Sequence, residues 1–129
     1  MTTRFAVAAA LAVAVACFSD RDGIVDPIGA DCTVPSSAFG TSESDGIPVI
    51  IRTFSFLSDT VRIRAGGTVT WVNCEDPNVE PHTSTATGGA WDSGLLQPGE
   101  SFQQTFPDAG TFSYFCLPHD FMRGVVIVE

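Results

Sequence analysis

Four side chains in this 129-residue sequence form a set that can bind a transition metal. Cys116, His119 and Met122 follow one another at intervals of three residues, in a segment that joins two predicted strands. The second histidine of the sequence, His82, lies upstream, just after another predicted strand. One thiolate, two imidazoles and a weak axial thioether are the ligands of a type 1 copper electron-transfer site. The four residues therefore predict one type 1 copper ion as the cofactor.

The ligand types suit a metal that changes its charge by one. A thiolate is soft and binds copper covalently, imidazole serves Cu(II) and Cu(I) alike, and the thioether influences the reduction potential. Read singly, each residue also fits a loop histidine, a core methionine or a buried cysteine, and it is their combined spacing that indicates a metal site. Zinc, which Cys116 and the two histidines could also hold, is the alternative metal.

The sulfur of Cys116 needs hydrogen-bond donors from outside its own loop. Pro118 has no backbone N–H and cannot donate to this sulfur. The backbone N–H of Thr83 is predicted to be the remaining donor. This hydrogen bond is expected to tune the reduction potential of the metal.

The rest of the chain reads as short strands separated by turns. β-branched and aromatic residues alternate with polar ones, so that Val69 and Trp71 are predicted to face the core while Thr68 and Thr70 face outward. The predicted strands are Val49–Phe56, Val61–Arg64, Thr68–Asn73, Ser101–Phe106, Thr111–Cys116 and Val125–Val128. Since no segment has helical periodicity of useful length, the fold class is predicted to be an all-β sandwich.

The motifs around the four ligands resemble those of the cupredoxins. They are Gly67-x-Val69-x-Trp71-x-Asn73, Pro81-His82-Thr83, Asp92-Ser93-Gly94, Pro98-Gly99-x-x-Phe102 and Gly110-Thr111-Phe112-x-Tyr114-x-Cys116-x-x-His119-x-x-Met122-x-Gly124. The resemblance covers residues 47–129, lies in the plastocyanin/amicyanin branch, and is similar to the amicyanins in its short Cys-x-x-His-x-x-Met spacing. It implies a Greek-key β-sandwich, one-electron shuttling, and copper ligation by His82, Cys116, His119 and Met122.

The N-terminal region has the features of an export signal followed by an acidic extension. Residues 5–18 are an uninterrupted apolar run of fourteen behind Arg4, whereas a membrane-spanning helix needs about 20 such residues. Ala14-Val15-Ala16 has the form of a cleavage site, and Cys17 is a candidate for lipidation. We predict a signal peptide over 1–16, an acidic tether or extension over 17–46 and a cupredoxin domain over 47–129. The protein is thus expected to be exported, to the periplasm or the outer face of the membrane, and a lipid on Cys17 would tether it there.

Two further cysteines, Cys32 and Cys74, remain for structural roles. An exported protein permits disulfides. If Cys17 carries lipid and Cys116 binds copper, Cys32 and Cys74 are left to pair, which would attach the extension to the sandwich. The alternatives are two free thiols, or a bridge between Cys17 and Cys32 in a protein without lipid.

The charge of the chain limits its partners. Six arginines, no lysine and fifteen acidic residues give a net charge of −9, which becomes −10 once residues 1–16, with one arginine and no acid, are removed. This charge argues against binding to nucleic acid or to an anionic membrane surface. The expected partners are redox proteins, and the protein is expected to be a monomer.

Two surface features beside the predicted site bear on those partners. The acids Glu75, Asp76 and Glu80 form either a solvated loop or a patch that attracts a basic partner. An apolar collar is predicted around His119, formed by Pro81, Leu117, Pro118 and Phe121. A small apolar contact face suits brief electron-transfer encounters.

Three functional classes are compatible with a copper site, and the composition separates them. An exported electron carrier is the first interpretation, and a copper-binding or copper-delivery module without redox turnover is the alternative. A copper enzyme would need further histidines for additional copper centres, and the sequence contains two histidines. The protein is therefore predicted not to be an enzyme.

Overall fold

Two four-stranded β-sheets face each other in the described part of the chain, which in this computed structural model comprises residues 32–40 and 46–129. The strands are β1 (Gly46–Arg52), β2 (Ser55–Leu57), β3 (Thr60–Ile63), β4 (Thr68–Asn73), β5 (Thr85–Ala86), β6 (Ser101–Thr105), β7 (Gly110–Phe115) and β8 (Arg123–Val128). One sheet has the order β2-β1-β4-β6 and the other β3-β8-β7-β5. The predicted all-β sandwich is confirmed.

The order of the strands places the ends of distant segments side by side. β1 pairs in parallel with β4, and β3 pairs in parallel with β8, while the remaining pairs are antiparallel. The chain crosses from one sheet to the other after each of the strands β2, β3, β4, β5 and β6. The connection after β4 runs into β5, which pairs with β7 in the second sheet. It therefore ends beside the loop after β7, and these are the segments that carry the predicted ligands.

Aromatic rings fill the space between the two sheets. The indole of Trp71 on β4 lies 5.5 Å from that of Trp91 and 5.3 Å from the ring of Tyr114 on β7, measured between ring centroids. The three residues are buried, and burial raises the pKa of Tyr114 to about 12. Val69 and Trp71, the inward-facing residues of β4, were predicted correctly from their alternation.

Gly124 allows this core to close against β8. A Cβ atom at this position would lie 2.8 Å from the carbonyl oxygen of Asp59 and still closer to the ring of Tyr114. Because backbone cannot yield as a flexible side chain can, residue 124 must be small. Gly124 is the glycine of the Met-x-Gly motif, two residues after the predicted ligand Met122. The packing of Tyr114 thus explains why this motif ends in glycine.

The first predicted strand, Val49–Phe56, was wrong in its extent. β1 ends at Arg52, and the chain turns through Thr53 and Phe54 into β2. Both turn residues have positive φ angles, 50° and 55°, as the two-residue type I′ hairpin requires. Neither is a residue that favours this conformation, which is why the sequence showed no turn here. The short strand β5 was also missed.

Residues 32–40, called here the N-terminal segment, cover the outer face of the first sheet. Cys32 and Val34 pack against Ile50 and Val72. Thr70, predicted to face solvent, is instead buried on this face and accepts a hydrogen bond from the Gln103 side chain. The prediction assumed that one face of this strand is exposed to solvent. In this part of the sheet both faces are covered, so the outward-facing Thr70 is buried as well.

Cys32 and Cys74 form a disulfide, with 5.2 Å between their Cα atoms. This bond attaches the N-terminal segment to the residue that follows β4. Cys17, the alternative partner of Cys32, lies outside the described residues, as do the predicted signal peptide over 1–16 and most of the acidic extension. No helix in the described ranges has the length and apolar character needed to cross a membrane.

Removing the disulfide is expected to lower the free energy of unfolding. The cysteines are 42 residues apart, and closing a loop of this length stabilises a protein by about 2 to 4 kcal/mol, because it restricts the unfolded chain. The double variant Cys32→Ser/Cys74→Ser should therefore unfold at a lower guanidinium concentration than the metal-free parent protein. The reduced parent protein is the matched control and should resemble the variant. An unchanged midpoint would contradict the expectation.

Candidate metal centre

Two loops meet at one end of the sandwich and bring the predicted ligands together. His82 lies in the connection between β4 and β5, where its backbone N–H and C=O pair with Leu96 at 3.1 and 2.7 Å. Cys116 directly follows β7, and the loop that begins with it returns to β8. His82 is thus held by the connection between β5 and β6, and the Cys116 loop begins where β7 ends.

The loop from Cys116 to Met122 is closed by its own backbone. The N–H of His119 donates to the carbonyl of Cys116 at 3.2 Å, and that of Met122 donates to the carbonyl of His119 at 2.9 Å. The N–H of Cys116 in turn donates to the carbonyl of Met122 at 3.1 Å. This ring of hydrogen bonds explains the three-residue spacing, because each predicted ligand of the loop occupies the end of a tight turn.

Three of the predicted ligand atoms converge on one point. The Cys116 Sγ atom lies 3.7 Å from Nδ1 of His82 and 3.6 Å from Nδ1 of His119, and the two nitrogens are 3.1 Å apart. Cys116 and His82 are fully buried, and His119 is partly exposed. A soft thiol and two imidazoles that face one another at these distances fit a copper ion in both chemistry and spacing.

Met122, the fourth predicted ligand, is the last residue of the loop. Its side chain is buried and belongs to the same core cluster as Cys116. Its backbone carbonyl accepts the hydrogen bond from the Cys116 N–H. The position is compatible with an axial thioether, and the assignment of Met122 as the fourth ligand stays a prediction.

Thr83 joins the two loops through both its backbone and its side chain. Its N–H donates to the Cys116 sulfur at 3.3 Å, so the donor predicted from the sequence is confirmed. Its hydroxyl accepts a hydrogen bond from the Leu117 N–H at 2.8 Å. The second bond was not predicted, because the side chain of Thr83 had no assigned role. Together they fix the sulfur relative to His82.

A carboxylate lies behind each imidazole. Oε1 of Glu75 lies 3.3 Å from Nε2 of His82, too poorly aligned for a hydrogen bond, and Oε2 of Glu80 lies 3.0 Å from Nε2 of His119. The Glu75 side chain is almost fully buried, with 6% exposed. The two interpretations made from the sequence, a solvated loop and a docking patch, both require an exposed carboxylate. Glu75 therefore fits neither of them.

Burial also sets the protonation of His82. Loss of solvent lowers the pKa of its imidazole, and the nearby carboxylate of Glu75 opposes this effect only in part. A lowered pKa favours the neutral ring. Neutral imidazole is the form that binds a metal.

Phe54 is a residue of the site that the sequence did not indicate. Its ring meets those of His82 and His119 edge-on, at centroid distances of 5.2 and 4.9 Å. Its backbone N–H donates to Oε1 of Glu75 at 2.7 Å. This contact holds the β1–β2 turn against the site, although φ is positive at Phe54. No signal in the sequence connects a strand-like phenylalanine with histidines so far along the chain.

The sandwich, with one thiol and two imidazoles gathered at one end, defines the cupredoxin class. A sequence profile for copper binding proteins of the plastocyanin/azurin family matches residues 48–129. The chain belongs to this family of copper-binding proteins.

Amicyanins and plastocyanins are among the proteins similar to this chain. The amicyanin of Paracoccus denitrificans is 33% identical over 122 residues, covering 88% of this chain and 91% of the relative. The crystal structure of amicyanin from Paracoccus versutus has a TM-score of 0.58 at 37% identity, covering 74% of this chain and 85% of that one. A plastocyanin of Scenedesmus fuscus is 37% identical over 84 residues, 57% of this chain and 86% of the relative.

Removing the hydroxyl of Thr83 is expected to destabilise the site. In Thr83→Val the shape is kept, but the Leu117 N–H loses its acceptor and the Thr85 hydroxyl loses its partner, and leaving such groups unsatisfied costs about 1 to 3 kcal/mol. Thr83→Ser keeps the acceptor and is the matched control. Guanidinium unfolding of the metal-free proteins measures the difference. Equal stability of the two variants would show that the Thr83–Leu117 bond does not hold the loops together.

Proposed function

We propose that this protein is an exported one-electron carrier with a single type 1 copper, bound by His82, Cys116, His119 and Met122. The observation that carries the proposal is the convergence of one thiol and two imidazoles, all within 4.8 Å of one another, in a member of a copper-binding family. The amicyanin and plastocyanin relatives support the same function.

Each residue of the site has a separate role in the proposed electron transfer. A bound copper ion supplies the one-electron couple between Cu(II) and Cu(I). Cys116 provides the thiolate, while Thr83 donates a hydrogen bond to its sulfur and so stabilises the negative charge there. The two loops are fixed by backbone hydrogen bonds, which keeps the ligands in place when the charge of the site changes.

His119 is the proposed point of electron entry and exit. Its ring is partly exposed, whereas His82 is fully buried. Apolar side chains flank it, among them Leu117 with 52% and Phe121 with 66% of the residue surface exposed. Such a surface can exclude water during a short encounter and release the partner again, as transient redox complexes require.

A copper-delivery module is the alternative function. Delivery requires a site that exchanges its metal, which favours exposed ligands. The burial of Cys116 and His82 supports the electron carrier instead. A catalytic role is not proposed, because the two histidines of the sequence are both assigned to one metal.

Export is part of the proposal and rests on two features. One is the apolar N-terminal run with its cleavage pattern before Cys17, predicted from the sequence. The other is the disulfide between Cys32 and Cys74, since such bonds persist in oxidising compartments. A lipid on Cys17 would then tether a monomeric domain near the membrane through residues 17–46. The proposed partners are redox proteins rather than nucleic acids, in keeping with the acidic chain.

Optical and electron paramagnetic resonance spectra of the Cu(II)-loaded protein test the proposal. We expect an intense visible charge-transfer band from the thiolate, because a Cys sulfur is one of the ligands. Cys116→Ser should abolish the band, whereas the Cys32→Ser/Cys74→Ser variant should retain it. A colourless protein that binds only zinc or Cu(I) would contradict an electron carrier and favour the delivery module.

A further inference from the structure

We propose that Glu80 is a positioning residue for His119, and that its carboxylate lowers the reduction potential of the site. The inference rests on the proposed function, because it concerns the same metal. It starts from one contact, in which Oε2 of Glu80 lies 3.0 Å from Nε2 of His119. The two residues are 39 positions apart and come from the two different loops.

This contact selects the form of the imidazole that binds a metal. A carboxylate oxygen only accepts hydrogen bonds, so Nε2 of His119 must carry the proton. In the neutral ring, Nδ1 then has a free electron pair. Nδ1 is the atom that faces the Cys116 sulfur, at 3.6 Å. Glu80 thus orients His119 so that the lone pair of Nδ1 is on the side of the Cys116 sulfur, where a copper ion would bind.

Among the described residues, Glu80 provides the hydrogen-bonding partner for Nε2 of His119 on the solvent side of the imidazole. The other neighbours there are aromatic, with Phe54 edge-on at 4.9 Å and Phe121 at 6.0 Å between centroids. Rings restrict the tilt of the imidazole, but neither accepts a strong hydrogen bond from Nε2. The orientation of His119 therefore depends on the carboxylate.

The charge of Glu80 acts in a defined direction. A negative charge beside the ring stabilises Cu(II) more than Cu(I), since the Coulomb energy grows with the charge of the ion. A carboxylate that accepts from the distal nitrogen also makes the imidazole a more basic ligand. Both effects lower the reduction potential. Because 75% of the Glu80 side chain is exposed, a change at this position should leave the fold intact.

The experiment compares three variants of the copper-loaded full-length protein. Glu80→Ala removes both the charge and the acceptor, and Glu80→Gln removes the charge but keeps an acceptor oxygen. Asp120→Asn is the matched control, because Asp120 is exposed, follows His119 directly and makes no hydrogen bond to its ring among the described residues. Reduction potentials are measured at one pH, at low and high salt, after the visible band and the unfolding midpoint have been recorded.

We expect Glu80→Ala to weaken the preference for Cu(II) about three- to tenfold, which raises the potential of this one-electron couple by about 28 to 59 mV. Glu80→Gln should lie between Glu80→Ala and the parent protein. Part of the Glu80→Ala shift should persist at high salt, because it includes the lost hydrogen bond, whereas the Glu80→Gln shift should shrink and that of Asp120→Asn should be screened away. If Glu80→Ala and Glu80→Gln shift the potential no more than Asp120→Asn, the inference is overturned. Absence of the visible band in the parent protein would instead refute the proposed function.

Discussion

The metal centre depends on the hydrogen bonds by which Thr83 joins the β4–β5 connection to the loop after β7. The connection carries His82 and the loop carries Cys116 and His119, and the pairing of β5 with β7, at Thr85 and Phe115, brings the two side by side. The Thr83 N–H and hydroxyl bind the Cys116 sulfur and the Leu117 N–H, respectively. Because Thr83 is adjacent to His82 in the chain, the same residue sets the distance from sulfur to imidazole. Because these contacts are made by the protein itself, they limit the movement of the ligands when the charge of a bound copper ion changes, as fast one-electron transfer requires.

The connection between β4 and His82 is also fixed, by hydrogen bonds and by the disulfide. It begins at Asn73, which is buried, donates to the Leu96 carbonyl at 2.8 Å and accepts from the Glu75 N–H at 3.0 Å. Cys74, attached by the disulfide to the N-terminal segment, lies between Asn73 and Glu75. Beyond these contacts, the connection places the Glu75 carboxylate beside the imidazole of His82 and the Glu80 carboxylate beside that of His119. The disulfide thus stabilises the segment that places both carboxylates, although it lies outside the ring of ligands.

Much of this arrangement could be predicted from the sequence, and the exceptions have physical causes. The bounds of β4 were predicted as observed, because Val69 and Trp71 alternate with threonines, and the three-residue spacing of Cys116, His119 and Met122 indicated a metal-binding loop. The turn at Thr53 and Phe54 could not be predicted, since its conformation is stabilised by a contact with Glu75, 21 residues away from Phe54. The roles of Glu75 and Glu80 depend on the path of an irregular loop, which residue types do not determine. The burial of Thr70 depends on a segment that crosses the outer face of its strand.

We conclude that the hydrogen bonds of the protein, and not the metal, hold the ligands in place. Crystal structures of the metal-free and the copper-loaded protein provide the test. We expect His82, Cys116 and His119 to keep their positions, and the bond from the Thr83 N–H to the Cys116 sulfur to be present in both structures. A metal-free structure in which the Cys116–Met122 loop has moved away from Thr83 and His82 would contradict it.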